Sequence, residues 1–529
     1  MKTQLALTAL GLAACGTSTQ AQGKENPAQQ PNILFIQADQ LNVNALSCYG
    51  GIVPTPNLDR LARGGALMRQ AYVTRPTSSP CRASIVTGLH THQHGVVNNI
   101  DPKNQKGLTE QDTTTEKLLH SSGYQTHHYG KWHVGDGPYS WFPDMYSYGD
   151  FCKENRASRA SMRRTDTGEW MEYKGLAYPV ELAPPIATQQ EHFKNVWRKR
   201  AQDDITKIGR MRMGEEGWVD WATCERTIAR LNTLKGSDKP FMVTASFIYP
   251  HDPNFVCSPH YDRFDPAVLP IPGTPFVEQR YTSEWSYQLA QGWGPDGVRE
   301  FLRIYYGEVA YVDMLVGRLL ETLEANGQLE HTMIVFVTDH GDMMGNHGMV
   351  WKTTTSFYQD VVHIPMIFYH PGSIKPATYD IPVSVVDFMP TFLSATGHAE
   401  LLPAGRPGID LMPWLTGKKR TKDFPRKYVV CERVSNNAKG ERKVLPGVKA
   451  GLMITDTRWK YVVYTDSGFE LLYDMGKDRY ETRNLAADPA SRKQLVRMRS
   501  ALRDWLTETG WRGGYEFFDT LKEQGKIMR

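Results

Sequence analysis

Cysteine is scarce in this sequence: seven in 529 residues. Setting Cys15 aside, Cys48, Cys81, Cys152, Cys224, Cys257 and Cys431 are widely spaced. No pair has the spacing of a structural zinc site, and the density is far too low for a disulfide scaffold, although one or two bridges stay open. An excess of charge of one sign is missing as well. Lys and Arg number 61 against 57 Asp and Glu, a net charge of +4, which gives no ground for a nucleic-acid partner. There is no internal repeat, and no low-complexity stretch beyond the N-terminus. What remains is 40% hydrophobic and 22% charged, an ordinary globular composition long enough for a large core and a second, smaller domain.

The first residues carry one basic group, Lys2, and then an apolar run to Cys15. This reads as a secretory signal over residues 1–22, too short to span a bilayer. Leu12-Ala13-Ala14-Cys15 resembles the bacterial lipobox, in which the cysteine is lipidated; cleavage near Ala21 is the competing reading. Residues 23–30 continue a Gly-, Ser-, Thr- and Gln-rich tether. The chain is therefore expected to be exported, to the periplasm or as an outer-membrane lipoprotein.

Two apolar runs end in polar groups. Pro31 to Ala38 reads as a buried parallel strand delivering Asp39 and Gln40, and Met333 to Thr338 as another delivering Asp339, His340, Gly341 and Asp342. Open α/β sheets place their sites at such strand ends. Two carboxylates, an amide oxygen and an imidazole there form a cage suited to one divalent cation. A third buried strand, Lys239 to Phe247, runs into His251 between Pro250 and Pro253, where an irregular turn gives a histidine little to pack against. Phe301 to Ala325 has the apolar spacing of a core-facing helix, and Val361 to Phe368 and Val383 to Phe388 read as strands.

Between the two strand ends lies Thr77-Ser78-Ser79-Pro80-Cys81-Arg82-Ala83-Ser84-Ile85-Val86-Thr87-Gly88. A residue just before a helix start meets unpaired N–H groups and the positive end of the dipole, a good position for a nucleophile attacking an anion. A Ser/Pro-rich capping turn would look the same from Ser78 alone. The pattern Ser-x-Pro-x-Arg-Ala-Ser-x-x-Thr-Gly, however, resembles the signature of the formylglycine sulfatases of the alkaline phosphatase superfamily, in its serine form. Gly123 to His133 resembles the second signature, ending Gly-Lys-x-His at Lys131 and His133; Pro250-His251 and Gly345-x-His347-Gly348 followed by Lys352 resemble further elements. Cys81 falls at a variable position.

The resemblance implies that Ser78 is oxidised to formylglycine by a radical-type maturase, which accepts serine. It implies metal ligation by Asp39, Gln40, Asp339, His340 and an oxygen of modified Ser78, with Ca2+ as the expected ion. Lys131 and Lys352 would contact sulfate oxygens, His251 would be the acid for the leaving alcohol, and His133 and Arg82 would orient the aldehyde hydrate. Gln40 departs from the usual second aspartate, removes a negative charge, and resembles the choline sulfatase and phosphonate monoester hydrolase branch.

The implied fold is α/β, a large, mixed, mostly parallel sheet flanked by helices over residues 31–420. A smaller C-terminal α+β subdomain on an antiparallel sheet would follow over 421–529. Short strands at Tyr428 to Cys431, Gly451 to Ile454, Lys460 to Tyr464 and Glu470 to Tyr473, and an amphipathic helix from Leu495 to Leu506, fit it. Residues 136–230 interleave Arg156, Arg159, Arg163, Arg164, Arg198, Arg200, Arg210 and Arg212 with Trp141, Trp170, Trp197, Trp218 and Trp221. Such a segment suits an anionic glycan, though basic helices with buried tryptophans also occur without ligands. The expectation is a sulfatase acting on sulfated carbohydrate, of glycosaminoglycan or mucin type. A phosphonate or phosphate diester hydrolase and a non-catalytic surface glycan-binding lipoprotein are the alternatives.

Overall fold

The apolar run after Pro31 forms the strand Asn32–Ala38 inside a seven-stranded sheet. The computed structural model describes residues 30–524 apart from 102, 104, 138, 185–207, 273–277, 354, 435–441, 443–449 and 515. The signal peptide, Cys15 and nearly all of the tether, and also Trp197, Arg198 and Arg200, lie outside the described residues. Across the sheet the order is Ala377–Tyr379, Ala66–Met68, Met366–Tyr369, Thr332–Thr338, Asn32–Ala38, Phe241–Ser246 and Gln125–Gly130. Met366–Tyr369 runs against its neighbours and the other strands run together, so the sheet is mixed and mostly parallel. Side chains alternate across it: Leu34 and Ile36 enter one core, Ile33 and Phe35 the other.

Register decides which strand ends meet. Ala38 pairs with Thr338, so Asp39 and Asp339 leave the sheet side by side. Gln37 pairs with Ser246, and Ser246 with Gly130, which brings Lys131 to the same edge.

The core-facing helix is longer than its periodic stretch. It spans Trp285–Ala325, broken at Gly294, whose φ of 67° precedes Pro295. Leu302, Val309, Val312, Val316, Leu319 and Leu323 are all fully buried. The expected strand from Val361 to Phe368 is instead a helical turn, Gln359–Val362, and then the strand Met366–Tyr369. Pro365 has no N–H to give the ladder, which holds the strand start beyond it. Val383 to Phe388 is likewise divided. Val383–Ser384 pairs with Ala71–Tyr72; Ser384 and Asp387 then form a capping box, and the helix Phe388–Ala395 follows.

Towards the C-terminus Val429–Val434, Ala450–Thr455, Trp459–Tyr464 and Phe469–Asp474 form an antiparallel four-stranded sheet in sequential order. One face joins the core beneath the large sheet, and the other is covered by the helix Arg492–Glu508 through Leu495, Met498, Leu502 and Leu506. The described residues from 31 onward form one compact unit, and position 420 falls in the connection between the helix Met412–Leu415 and Val429. A further small sheet contains the hairpin Trp170–Tyr173 and Leu176–Leu182. Its two turn residues, Lys174 and Gly175, have φ of 48° and 81°, as a tight hairpin turn requires. All six described cysteines are unpaired. No helix among the described residues is long and apolar enough to cross a membrane.

One buried carboxyl sets a pH dependence of the fold. Glu116 is 2% exposed, and burial pushes its pKa from 4.5 up to about 7. Between those values the folded chain holds a proton that the unfolded chain has released, so stability falls as pH rises from 4.5 to 7. The loss is about 3 kcal/mol. Glu116→Gln is expected to melt above the unsubstituted protein at pH 8 and to lack this part of the slope. Identical pH–melting curves for the two proteins would refute it.

Candidate active site

Four strand ends and one helix start converge. The helix Ser78–Thr87 begins at Ser78 itself, with extended Thr77 as its cap, and every residue of it is buried. Ser78 Oγ lies 3.2 Å from Nε2 of His340 and accepts a hydrogen bond from Lys131 Nζ at 3.2 Å. Lys131 Nζ also donates to Asp39 Oδ2. The nucleophile candidate, a cation and a carboxylate are therefore in mutual contact, on the positive end of a helix.

Asp39, Asp339 and His340 each offer a ligand atom within 4.8 Å of the others. His340 Nε2 is 3.7 Å from Asp39 Oδ1 and 3.7 Å from Asp339 Oδ1. Its Nδ1 lies 3.0 Å from the Gly341 carbonyl, which fixes the N–H there and leaves the Nε2 lone pair towards the carboxylates. Asp39 Oδ1 is buried with no hydrogen-bond partner among the described residues. An orphaned carboxylate oxygen, a second carboxylate and an unprotonated imidazole nitrogen fit a divalent cation.

Gln40 is at the same point, with φ of 62°. Its NH2 donates to Asp342 Oδ2 at 2.8 Å, and its oxygen accepts from Lys352 Nζ at 2.9 Å. Asp342 thus fixes which end of the amide is oxygen. It is held in turn by the N–H groups of Met344 and Trp351.

Arg82, less than two turns into the helix, reaches beneath these groups. Nε donates to Asp339 Oδ2 at 2.7 Å, and Nη1 to Ser246 Oγ at 2.8 Å and to the Lys131 carbonyl at 3.0 Å. The guanidinium ties three strand ends together. Among the described residues neither Arg82 nor His133 hydrogen-bonds Ser78 Oγ. His133, in a left-handed conformation with φ of 57°, lines a cavity together with Lys131.

His251 and Lys352 meet across the cleft, with Lys352 Nζ 2.7 Å from His251 Nε2. His251 Nδ1 lies 2.6 Å from the Asp252 carbonyl, to which it donates. The imidazole is therefore neutral, and its Nε2 accepts from the ammonium. Asp252 Oδ1 stands 3.8 Å from Lys352.

Electrostatics follow from burial opposed by charge. Burial works to raise Asp39, but Lys131, Arg82 and His340 outweigh it and hold the carboxyl well below the usual range. Burial and Asp39 both work to raise Asp339, and Arg82 and His340 keep it low. Burial lowers Lys131 to about 8 against the pull of Asp39. It lowers His133 to about 2, helped by Lys131, and takes His251 well below the ordinary histidine value, helped by Lys352.

Several residues of the arginine- and tryptophan-rich segment serve the fold. Trp141 and Trp218 are core residues, 1% and 0% exposed. Arg159 stacks over Tyr178 and donates to the Gly217 carbonyl, Arg163 pairs with Glu172, Arg210 with Asp262 and Arg212 with Asp166. These four arginines find partners within the fold. Three residues that the structure brings to the site were not singled out in the sequence: Asp342, Ser246 and Asp252. Asp342 follows the metal pair by two positions, and Asp252 follows His251 directly; Ser246, within a buried strand, carried no signal.

Comparison with known proteins gives the family. The sulfatase family model matches residues 31–398, and that of the N-sulphoglucosamine sulphohydrolase C-terminal region matches residues 345–508. A Delta 4,5-hexuronate-2-O-sulfatase of Bacteroides thetaiotaomicron is 29% identical, over 94% of this chain and 92% of its own. An N-acetylglucosamine-6-O-sulfatase of the same species is 26% identical, over 91% of this chain and 86% of its own. Among solved structures, a 2-O GAG sulfatase superimposes with a TM-score of 0.67 at 26% identity, covering 91% of this chain and 93% of that one. A phosphonate monoester hydrolase from Silicibacter pomeroyi, with a TM-score of 0.69 at 22% identity over 91% of this chain and 96% of its own, shares the fold.

Proposed function

The chain belongs to the sulfatase family and is a sulfuric ester hydrolase; from that premise we propose that it removes sulfate from glycosaminoglycan-type sugars through Ser78, matured to formylglycine. The observation that carries this is Ser78 Oγ, buried at a helix start within 3.2 Å of both Lys131 Nζ and His340 Nε2. The sugar class rests on the relatives, which include sulfatases of hexuronate and N-acetylglucosamine.

Asp39, Asp339 and His340 would hold a divalent cation, with the Gln40 amide oxygen and an oxygen of residue 78 completing the set. Ca2+ is the assignment, since oxygen ligands dominate. When bound, the cation supplies a Lewis acid for a sulfate oxygen and lowers the pKa of the residue-78 hydroxyl. Formylglycine, when hydrated, supplies two hydroxyls on one carbon, so that the residue can be freed of sulfate without water attacking sulfur.

Other steps fall to the chain's own side chains. Lys131 and Lys352 neutralise charge on the sulfate oxygens, which is where loose sulfuryl and phosphoryl transfers need stabilising. Lys352 and His251 share one proton at 2.7 Å, and that pair supplies it to the leaving alcohol oxygen. Arg82 acts as a positioning residue, holding Asp339 and the Lys131 carbonyl. Residues 31–420 would then be the catalytic part and 421–529 a subdomain closing one side. The N-terminal segment fits export to the periplasm, or lipid anchoring to the outer membrane through Cys15.

Gln40 and the shared fold of the phosphonate hydrolase give the second reading, and one panel separates the two. Sulfate release from sulfated mono- and disaccharides is expected to exceed turnover of phosphate diesters and phosphonate monoesters at least about 100-fold in kcat/KM. Lys131→Ala should lose about 100-fold on the sulfate ester, as for deletion of a positioned charge. Faster turnover of the phosphonate or phosphodiester would overturn the assignment.

A further inference from the structure

Beside Lys131 opens a cavity of about 750 Å³, whose lining includes Lys131, His133, Asp136, Tyr148, Lys153 and Lys174. Lys174 comes from the tip of the hairpin and was reached by none of the motifs. The turn is built to present it. Tyr148 donates to the Tyr173 carbonyl at 3.2 Å and pairs with the Tyr178 hydroxyl at 2.9 Å, fastening the hairpin to the helix Tyr148–Thr165. The Lys174 ammonium lies over the Tyr148 ring at 5.5 Å and the Tyr173 ring at 5.3 Å. Two aromatic faces hold a cation in place without neutralising it.

Most other charges around the cavity are paired, Asp136 being the exception among the described residues. Lys153 pairs with Asp150, and Asp144 with Arg230 and His127. Lys174 makes no ion pair or hydrogen bond through its ammonium among the described residues. It is nonetheless near enough to the reacting groups for its charge to act on Asp39, Asp252, Lys131, His133 and Lys352. Lys131 is occupied by Asp39 and Ser78, and Lys352 by Gln40 and His251. An uncompensated ammonium in a concave site beside the sulfate position therefore awaits an anion of its own.

We propose that Lys174 is a specificity residue that binds a second anionic group of the substrate, a carboxylate or a second sulfate, next to the sulfate ester being cleaved. This rests on the sulfatase reading and adds a substrate class to it: sugars bearing two anions. The cleaved sulfate engages Lys131 and Lys352, and the second anion engages Lys174 above Tyr148. A charge-assisted hydrogen bond between an ammonium and an anion contributes about 10- to 100-fold in binding.

The test compares 4-nitrophenyl sulfate, with one anion, against 2-sulfated Δ4,5-hexuronate, with a carboxylate, and glucosamine-2-N,6-O-disulfate, with a second sulfate. Lys174→Asn is the variant of choice, because Asn accepts the positive φ of the turn; its melting temperature should match that of the unsubstituted protein. For one of the two dianions, kcat/KM should fall about 10- to 100-fold more than for 4-nitrophenyl sulfate, with the change in KM rather than kcat. Where a dianion is not turned over, its inhibition constant against 4-nitrophenyl sulfate is read instead. Lys174→Arg should restore the preference, and the dianion affected identifies the second anion as carboxylate or sulfate. Equal losses on all three probes would overturn the proposal. A parent enzyme that releases no sulfate from any probe would instead overturn the sulfatase reading.

Discussion

Protein made without a radical maturase is expected to fold and bind metal, yet to hydrolyse sulfate esters at least about 10⁴-fold more slowly than matured protein. This is the scale of losing an enzymatic nucleophile. The reason lies in the hydroxyl at position 78. A thiol can be oxidised by an oxygen-using enzyme that binds it through sulfur, whereas a serine needs its C–H bond broken by a radical. Conversion of –CH2OH to –CHO removes two hydrogens, so the peptide containing Ser78 should lose their mass in native protein. Burial adds a constraint on timing. Ser78 is 0% exposed and the whole helix Ser78–Thr87 is buried, so oxidation is expected to precede folding. Maturase added to folded protein should leave the mass unchanged. Ser78→Ala should be inactive under all conditions, and Ser78→Cys should become activatable by the oxygen-using enzyme. Full activity from protein with an unmodified Ser78 would remove the mechanism and leave the fold.

Asp39→Asn is expected to abolish stoichiometric metal binding and lower activity about 10³-fold while the chain stays folded. Asp39 and Asp339 are the two carboxylates facing His340, and Asp39 Oδ1 is the oxygen left without a partner among the described residues. Replacing it by an amide removes half the negative charge of the cage, and hard divalent cations depend on that charge. The fold should survive because Arg82 keeps its pair with Asp339 and an amide oxygen at position 39 can still accept from Lys131. Metal content after dialysis is the direct measurement. A second readout is thermal: metal at 100 times its Kd should stabilise the parent protein by about 2.7 kcal/mol and leave the variant unmoved. Chelation should reduce the parent to the activity of the variant, and calcium should restore it. Unchanged metal content in Asp39→Asn, or restoration by zinc but not calcium, would refute the site or the ion.

Much of this centre was legible along the chain because its parts are local. An apolar run that stops at Asp39 or Asp339 is a strand delivering a carboxylate, and a Ser-x-Pro-x-Arg run opens a helix; both follow from residues adjacent in sequence. The C-terminal hairpins were legible for the same reason, as alternating strands between turn residues. Where local pattern failed, a single backbone property was responsible. Pro365 denied the sheet its N–H and shortened an expected strand, and the Ser384–Asp387 capping box turned another into a helix.

By itself the sequence determined the chemistry: which groups stand at strand ends, that position 78 offers a hydroxyl, and that Gln40 rather than a second carboxylate follows Asp39. The tertiary structure alone decided how those groups act on one another. Pairing of Ala38 with Thr338 and of Gly130 with Ser246 put Asp39, Asp339 and Lys131 at one edge. Contact across 101 residues put His251 Nε2 against the Lys352 ammonium as a neutral acceptor, a pairing that nothing along the chain showed for the histidine the resemblance makes the acid. Of the arginines that suggested glycan recognition, Arg159 turned inward to the Gly217 carbonyl while Arg163 and Arg212 paired with Glu172 and Asp166 nearer the surface, and a cation that no motif had marked, Lys174, lines the cavity. Spacing along the chain specifies local backbone geometry, but the partner of a charge is set by sheet register and loop packing between residues far apart in sequence.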